Sequence, residues 1–273
     1  MKKSLVVLSG GQDSMCCLAI AIDAAKGDPT RVAALTFDYG QRHHRELAAA
    51  RDVCKLFGVK DHEVLALGPV LKGTSPLTDK NAELEQYADF AAMDKIIGNR
   101  VETTFVPMRN ALFLTIAANR AVCLGATEIY VGVCQADNAN YPDCTADFID
   151  FQENAINVAL GTYDNIANRI TIVTPLMHKS KAQAIQDSAE CGYYLPLAFT
   201  HTSYDGSYPP VGHDHATLLR AQGFLESGYP DPLVIRAYMD GVMELPKTPN
   251  YDLDLASMRT GINILHHLLQ SVA

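Results

Sequence analysis

The chain has 273 residues, 48% of them hydrophobic and 19% charged, which is enough apolar content for a sizeable core and too much for a disordered chain. A formal net charge of −9 argues against a broad nucleic-acid surface, which needs a basic excess, but leaves room for a small basic pocket. No apolar run is long enough to span a membrane, and the glycines after Leu8 interrupt the N-terminal apolar run too early for a secretory leader.

Residues 4–8 form a short β-branched apolar run that reads as a strand, and a glycine turn follows it. Residues 14–25 are helical in pattern and apolar on nearly every side, so this helix is expected to be buried. Residues 32–37 read as a second strand. Residues 42–57 read as an amphipathic helix that Gly58 ends. Residues 61–67 read as a third strand. The polar, irregular stretch 68–100 is expected to be a surface insertion or lid-like segment with short helices. A helix over 110–124 ends at Gly125. A strand over 128–134, a helix over 146–160, a strand over 169–173 and a helix over 181–191 follow. After Gly192 the pattern degrades into loops rich in Tyr, Pro and His. A short helix over 218–225 and a final one over 253–272 complete the chain.

Strands alternating with helices imply parallel pairing through crossover units. The expected fold is α/β: a doubly wound parallel sheet with ligands at the carboxyl ends of its strands, and a small C-terminal loop and helix appendage. The expected division is an α/β core over 1–200, with the insertion at about 68–100, and the appendage over 201–273. Seven scattered cysteines with no CxxC pair fit a reduced, cytoplasmic chain.

The strongest local signal is Ser9-Gly10-Gly11-Gln12-Asp13-Ser14, placed between a buried strand and a buried helix. Glycines let the backbone curl so that several N–H groups face one anion, and the helix adds its positive end. Ser9 and Ser14 offer hydroxyl donors, and Asp13 can orient the loop or help hold a metal-bound phosphate. No lysine follows in the Walker manner, and no GxGxxG is present. A plain capped turn would explain one glycine and one serine, not the whole hexapeptide.

Other segments have physical readings of their own. Arg42 and His43 would open a helix beside this loop, where Arg42 can grip phosphate with its fork. Arg109 and Asn110 stand where a loop enters a helix, with Asn110 as cap or ligand contact. Asp137 and Asp143 lie after the strand ending near Cys134, where a carboxylate can accept two hydrogen bonds from a guanine-like base and Tyr141 can stack on it. Such a stretch can equally be a polar loop with Asx turns. Lys181 begins a helix against the dipole preference, which points to a ligand anion such as the leaving pyrophosphate, with a plain surface lysine as the alternative. Cys144 could be a nucleophile, although with no partner histidine nearby in sequence a packing role is the commoner one.

The hexapeptide matches the SGGxDS loop of N-type ATP pyrophosphatases, and the chain as far as about Phe224 resembles the 7-cyano-7-deazaguanine synthase (QueC) family within them. The resemblance is carried by Phe37-Asp38-Tyr39-Gly40-Gln41-Arg42-His43 with Glu46, and by Phe105-Val106-Pro107-Met108-Arg109-Asn110. It continues through Gly132 with Asp137 and Tyr141-Pro142-Asp143-Cys144, Thr174-Pro175-Leu176 with Lys181, and Leu219-Arg220-Ala221-Gln222-Gly223-Phe224. It implies an adenine-nucleotide alpha hydrolase-like, Rossmann-like fold. The implied enzyme is an ATP-dependent carbon–nitrogen ligase that uses Mg²⁺, converts 7-carboxy-7-deazaguanine and ammonia to the nitrile by way of the amide, and forms a homodimer. No direct contact with nucleic acid or membrane is implied.

On this resemblance Leu8, Ser9, Gly10, Gly11, Gln12, Asp13, Ser14, Phe37, Tyr39, Gln41 and Arg42 bind ATP. Asp13, Ser14, Arg109 and Lys181 are catalytic, and Arg109, Asn110, Asp137, Tyr141 and Asp143 bind substrate. Three alternatives stay open: a variant that stops at the amide or joins another amine, a silent nucleotide-binding paralogue, and a DNA-binding regulator, the last disfavoured by the charge.

Two departures stand out. Relatives hold a structural zinc with four cysteines, and the matching positions here are Ser203, Val211, Asp214 and Thr217, so zinc is expected to be absent. A rebuilt set from His201, His213, Asp214 and His215 is the alternative. Met108 replaces a family glycine and is expected to reshape the pocket.

Overall fold

A computed structural model describes residues 3–42, 44–73, 75–79, 81–135 and 139–271. The strands are β1 Ser4–Val7, β2 Val32–Asp38, β3 His62–Ala66, β4 Glu128–Tyr130 and β5 Thr171–Val173. All pair in parallel in the order β3-β2-β1-β4-β5. The chain therefore builds outward from β1 to β3, then returns to the other side of β1. The loops after β1 and β4 leave in opposite directions, and this is where a doubly wound sheet opens a crevice.

Period-two alternation explains why both faces are covered. Val6 and Leu8 of the first strand segment join Met15, Leu18, Ile22, Val53, Ile185 and Phe224 in one core. Leu5 joins Leu35, Leu114, Ala121, Ile129 and Ile156 in the other. The helices are α1 Gln12–Ala24, α2 Arg45–Phe57, α3 Phe90–Ile97, α4 Arg109–Leu124, α5 Ala146–Ala159 and α6 Lys181–Glu190; α1, α2 and α6 face the first core, and α4 and α5 cover the second. As expected, α1 is buried along most of its length, and Gly58 and Gly125 end α2 and α4 with positive φ.

Four expectations need correction. The helix read from Arg42 begins at Arg45, because the Arg42 N–H donates to the Leu77 carbonyl and its Nη1 to Ala82 O at 3.0 Å, which draws this residue toward the 76–82 segment. The strands read over 128–134 and 169–173 pair only at Glu128–Tyr130 and Thr171–Val173. The helix read from 218 starts at His215 instead: α7 is His215–Ser227, capped by Asp214. A further helix, α8 Pro232–Met239, stands where only loop was read; the final helix, α9, is Ala256–Ser271.

The insertion is tied down at both ends. Ser75 Oγ donates to Thr104 O at 3.0 Å, the Tyr87 N–H donates to His213 O, and Tyr87, Phe90, Met93 and Ile97 pack with Leu218 of α7. Helices α8 and α9 share a smaller core with Ala198 and Phe199. Among the described residues no helix is long and apolar enough to cross a membrane.

Candidate active site

The turn after β1 owes its shape to missing atoms. Gly10 has φ +87°, and a Cβ there would stand 2.2 Å from the Glu46 carbonyl oxygen and 2.8 Å from Ala50 N. Across the crevice, a Cβ on Gly132 would stand 2.9 Å from the Asp13 carbonyl carbon and 3.0 Å from Ser14 N. The loop is thus wedged between α2 and the end of β4 at the switch point. The two serines brace it from within. Ser14 Oγ donates to Gly11 O at 3.0 Å and accepts the Ser9 N–H at 3.1 Å, while the Gly11 N–H donates to Ser9 Oγ at 3.2 Å. The hydroxyls read as phosphate donors also hold the loop in shape.

The anion-facing groups are those of the α1 N-terminus. Its N-cap is Gly11, which has no side chain to cap the first turn, so that turn carries the donors every helix start leaves without intrahelical acceptors. Gln12 is buried and its Nε2 has no acceptor among the described residues. An uncapped helix start with a buried amide donor beside it suits an anion.

A cavity of about 590 Å³ opens over this turn. It brings together Leu8, Ser9, Gly11, Gln12, Asp13, Ser14, Phe37, Tyr39, Gln41 and Arg42 with Arg109, Asn110, Tyr141 and Lys181, drawn from sequence blocks far apart. Gly10 supports the floor without lining it, and Asp143 sits behind the wall that Asn110, Tyr141 and Cys144 present. Asp137, like His43, lies outside the described residues.

The cationic side of the cavity is set by two residues. Lys181, the first residue of α6, pairs with Asp13 Oδ2 at 2.5 Å, so the lysine that departs from the dipole preference answers a carboxylate of the loop. Arg109, the first residue of α4, hydrogen-bonds Tyr39, and its charge is felt by Glu46, Tyr141, Asp143 and Tyr204. Burial pushes the Glu46 carboxyl up to about 7, with Arg109 pulling the other way. Burial likewise raises Asp143, offset by Arg109 and by the Asn110 N–H donating to Asp143 Oδ2 at 3.2 Å.

Two local readings change here. Asn110 is not the cap of α4: Met108 holds that position, and Asn110 Nδ2 donates to Asp143 O at 2.9 Å, locking two substrate-side segments together. Met108 does not reshape the pocket either. It takes the left-handed conformation, φ +65°, that its position demands, and its side chain is 68% exposed, away from the cavity wall.

Glu46, Phe113, Thr202 and Tyr204 also line the cavity, and sequence reasoning gave them no role; His201 and His215, read only as possible metal ligands, line it too. Glu46 was within reach, since it closes a quoted block. The 201–215 residues follow no period, and only the fold brings them in. Nor do His201, His213, Asp214 and His215 form a metal set. His201 Nε2 faces Ser203 O, His213 Nδ1 faces Tyr87 O, and Asp214 caps α7. Among the described residues no group of three or more His, Cys, Asp or Glu is placed to hold a metal.

A parallel doubly wound sheet with a glycine-wedged, uncapped helix start at its switch point defines an adenine-nucleotide α/β protein of the pyrophosphatase-loop kind. The sequence profile described as "Queuosine biosynthesis protein QueC" matches residues 3–228. A 7-cyano-7-deazaguanine synthase of Gloeobacter violaceus is 47% identical over 236 residues, 85% of this chain and 96% of its own. One of Chromobacterium violaceum is 41% identical, over 86% and 94%. This chain belongs to the QueC family. Among solved structures, a U34-tRNA thiolase NcsA of Methanococcus maripaludis aligns with a TM-score of 0.40 at 12% identity, over 98% of this chain and 73% of that one.

Proposed function

We propose that the protein is an ATP-dependent ligase that makes 7-cyano-7-deazaguanine from 7-carboxy-7-deazaguanine and ammonia, with Mg²⁺ accompanying ATP. The support for a nitrile product is the name its relatives carry. The observation that carries the reading is the open α1 start with the buried Gln12 amide, set in a cavity large enough for two ligands.

Residues Leu8 to Ser14, with Phe37, Tyr39, Gln41 and Arg42, hold the nucleotide, and Asp13 would be the loop carboxylate to hold Mg²⁺, which would neutralise phosphate charge. The substrate carboxylate attacks the α-phosphorus and pyrophosphate leaves. Ammonia then displaces AMP and loses a proton to give the amide. The amide oxygen attacks the α-phosphorus of a second ATP, releasing pyrophosphate and one N–H proton, and loss of AMP and the remaining N–H proton gives the nitrile. Ser14 keeps the loop in register, while Arg109 and Lys181 neutralise the charge that gathers on the phosphates. Arg109, Asn110, Tyr141, Asp143 and Asp137 hold the deazaguanine, with Asp143 acting through Asn110.

Incubation with ATP, Mg²⁺, ammonium and 7-carboxy-7-deazaguanine, followed by mass analysis, is expected to give the nitrile, AMP and pyrophosphate. Amide alone would mean that the reaction stops at the first adenylation. Absence of AMP with this substrate would refute the ligase reading.

A further inference from the structure

Residues 201–214 fold back over the cavity with no regular element of their own before α7 begins at His215. One end is tied to the phosphate turn, where the His201 N–H donates to Gly10 O at 2.9 Å. The other end is a polar cluster. The Asp214 carboxylate accepts the Thr217 N–H at 3.0 Å, Thr217 Oγ1 at 3.0 Å, Ser203 Oγ at 3.4 Å and the Tyr204 N–H. Ser203 Oγ also bonds Asp205 Oδ1 at 2.5 Å and Ser207 Oγ at 3.1 Å, and Asp205 Oδ1 accepts the Ser207 N–H at 2.7 Å. Ser203 and Asp214 are each 1% exposed.

Ser203, Asp214 and Thr217 are three of the four positions that match zinc cysteines in related chains, and they still converge. A single Cβ placed on Gly212 would touch all three side chains, at 3.0–3.6 Å. Val211, the fourth, is 57% exposed and turned away. The donor set does not fit zinc: it has one carboxylate already receiving several hydrogen bonds, two neutral hydroxyls and no thiolate or imidazole.

What the cluster holds is Tyr204. Asp214 takes its backbone N–H, and its half-buried ring lines the cavity, where its hydroxyl bonds Tyr141. Tyr141 in turn meets Thr104 Oγ1 at 2.5 Å and Glu102 Oε2 at 3.3 Å. We propose that the Ser203–Asp214–Thr217 cluster is a metal-independent clasp that makes Asp214 a positioning residue, presenting Tyr204 beside Tyr141 as part of the binding surface for the planar second substrate. This rests on the ligase reading for the substrate's identity, but not for the clasp itself.

The test compares wild type with Asp214→Ala, Asp214→Asn, Thr217→Val and Tyr204→Phe. In hydrogen exchange, amides of 203–217 in wild type are expected to be unaffected by EDTA. Asp214→Ala is expected to speed their exchange roughly tenfold while 9–24 stay protected, with Asp214→Asn, which still caps α7, falling between. In kinetics, Asp214→Ala and Tyr204→Phe are expected to raise KM for 7-carboxy-7-deazaguanine roughly tenfold and leave KM for ATP unchanged. EDTA-sensitive exchange, or stoichiometric zinc in the purified protein, overturns the clasp, as does exchange in Asp214→Ala and Thr217→Val equal to wild type. Equal rises in both KM values overturn the positioning role. Failure of wild type to use the deazaguanine refutes the ligase reading alone, and the exchange result still decides the clasp.

Discussion

The phosphate turn and the 201–217 segment face each other across one cavity, yet opposite means hold them. The turn takes its shape from atoms that are missing: Gly10 lets α2 approach, Gly132 lets β4 approach, and the serines close short loops of hydrogen bonds. Everything it needs lies within six consecutive residues, helix α2 and the segment after β4. The 201–217 segment takes its shape from polar side chains brought from a distance. Beyond the Asp214 cluster, Arg220 donates to Thr200 and Thr202 hydroxyls at 2.9 Å, to Leu197 O at 3.2 Å, and to both oxygens of Asp231 at 2.6 and 2.8 Å. The first arrangement fails when an atom is added, the second when a bond is removed.

The largest expected effect follows from the second. Arg220 and Asp231 are 3% exposed each, so Arg220→Met leaves a buried carboxylate without its ionic partner. A loss of about 4 kcal/mol in urea unfolding is expected. Less than about 1 kcal/mol would mean that these bonds do not hold the segment. Gly10→Ala probes the turn. A methyl group 2.2 Å from a carbonyl oxygen at positive φ should cost about 3 kcal/mol and abolish ATP-dependent pyrophosphate release. A folded, active Gly10→Ala protein would show that the turn tolerates the added atom.

That contrast also explains what the sequence discloses. The turn and the parallel pairing were readable because each depends on short-range pattern: a β-branched run, glycines, a buried helix. The start of α7 was misread because His213-Asp214-His215 looks like a ligand cluster, whereas Asp214 with Thr217 three residues later is a cap. Asp231-Pro232 carried the ordinary signature of a helix start, cap then Pro, and α8 was missed because eight residues show little periodicity. Tyr204 has no signal of its own. Its place depends on bonds to residues 10 and 63 positions away, which no local pattern encodes.

Glu46 joins the turn to the substrate side and gives the comparison a pH axis. Its carboxyl is raised to about 7 in the folded state, chiefly by burial, so between about 4.5 and 7 the native state binds more protons than the unfolded one. Stability contributed by the protonated form is therefore full below about 4.5 and is lost as pH rises through 7, on the order of 3 kcal/mol. Glu46→Gln should remove this fall and be the more stable protein at pH 8, with little difference from wild type at pH 4.5. Parallel pH profiles for the two proteins would contradict that burial of Glu46.

The smallest effect concerns Met108, the residue that caps α4. Its carbonyl accepts the Leu112 N–H at 3.0 Å to start α4, and its backbone is left-handed although the residue carries a Cβ. Glycine would relieve about 1 kcal/mol of strain, and its greater freedom in the unfolded chain takes back roughly half of that. Met108→Gly should therefore gain about 0.5 kcal/mol, whereas Met108→Ala, which keeps the Cβ, should be neutral. Neither should change KM for ATP or for the deazaguanine, because the side chain is exposed and does not line the cavity. A shift in substrate KM with Met108→Gly but not Met108→Ala would place the backbone at 108, rather than the side chain, against the ligand. A shift with both would return Met108 to the pocket wall.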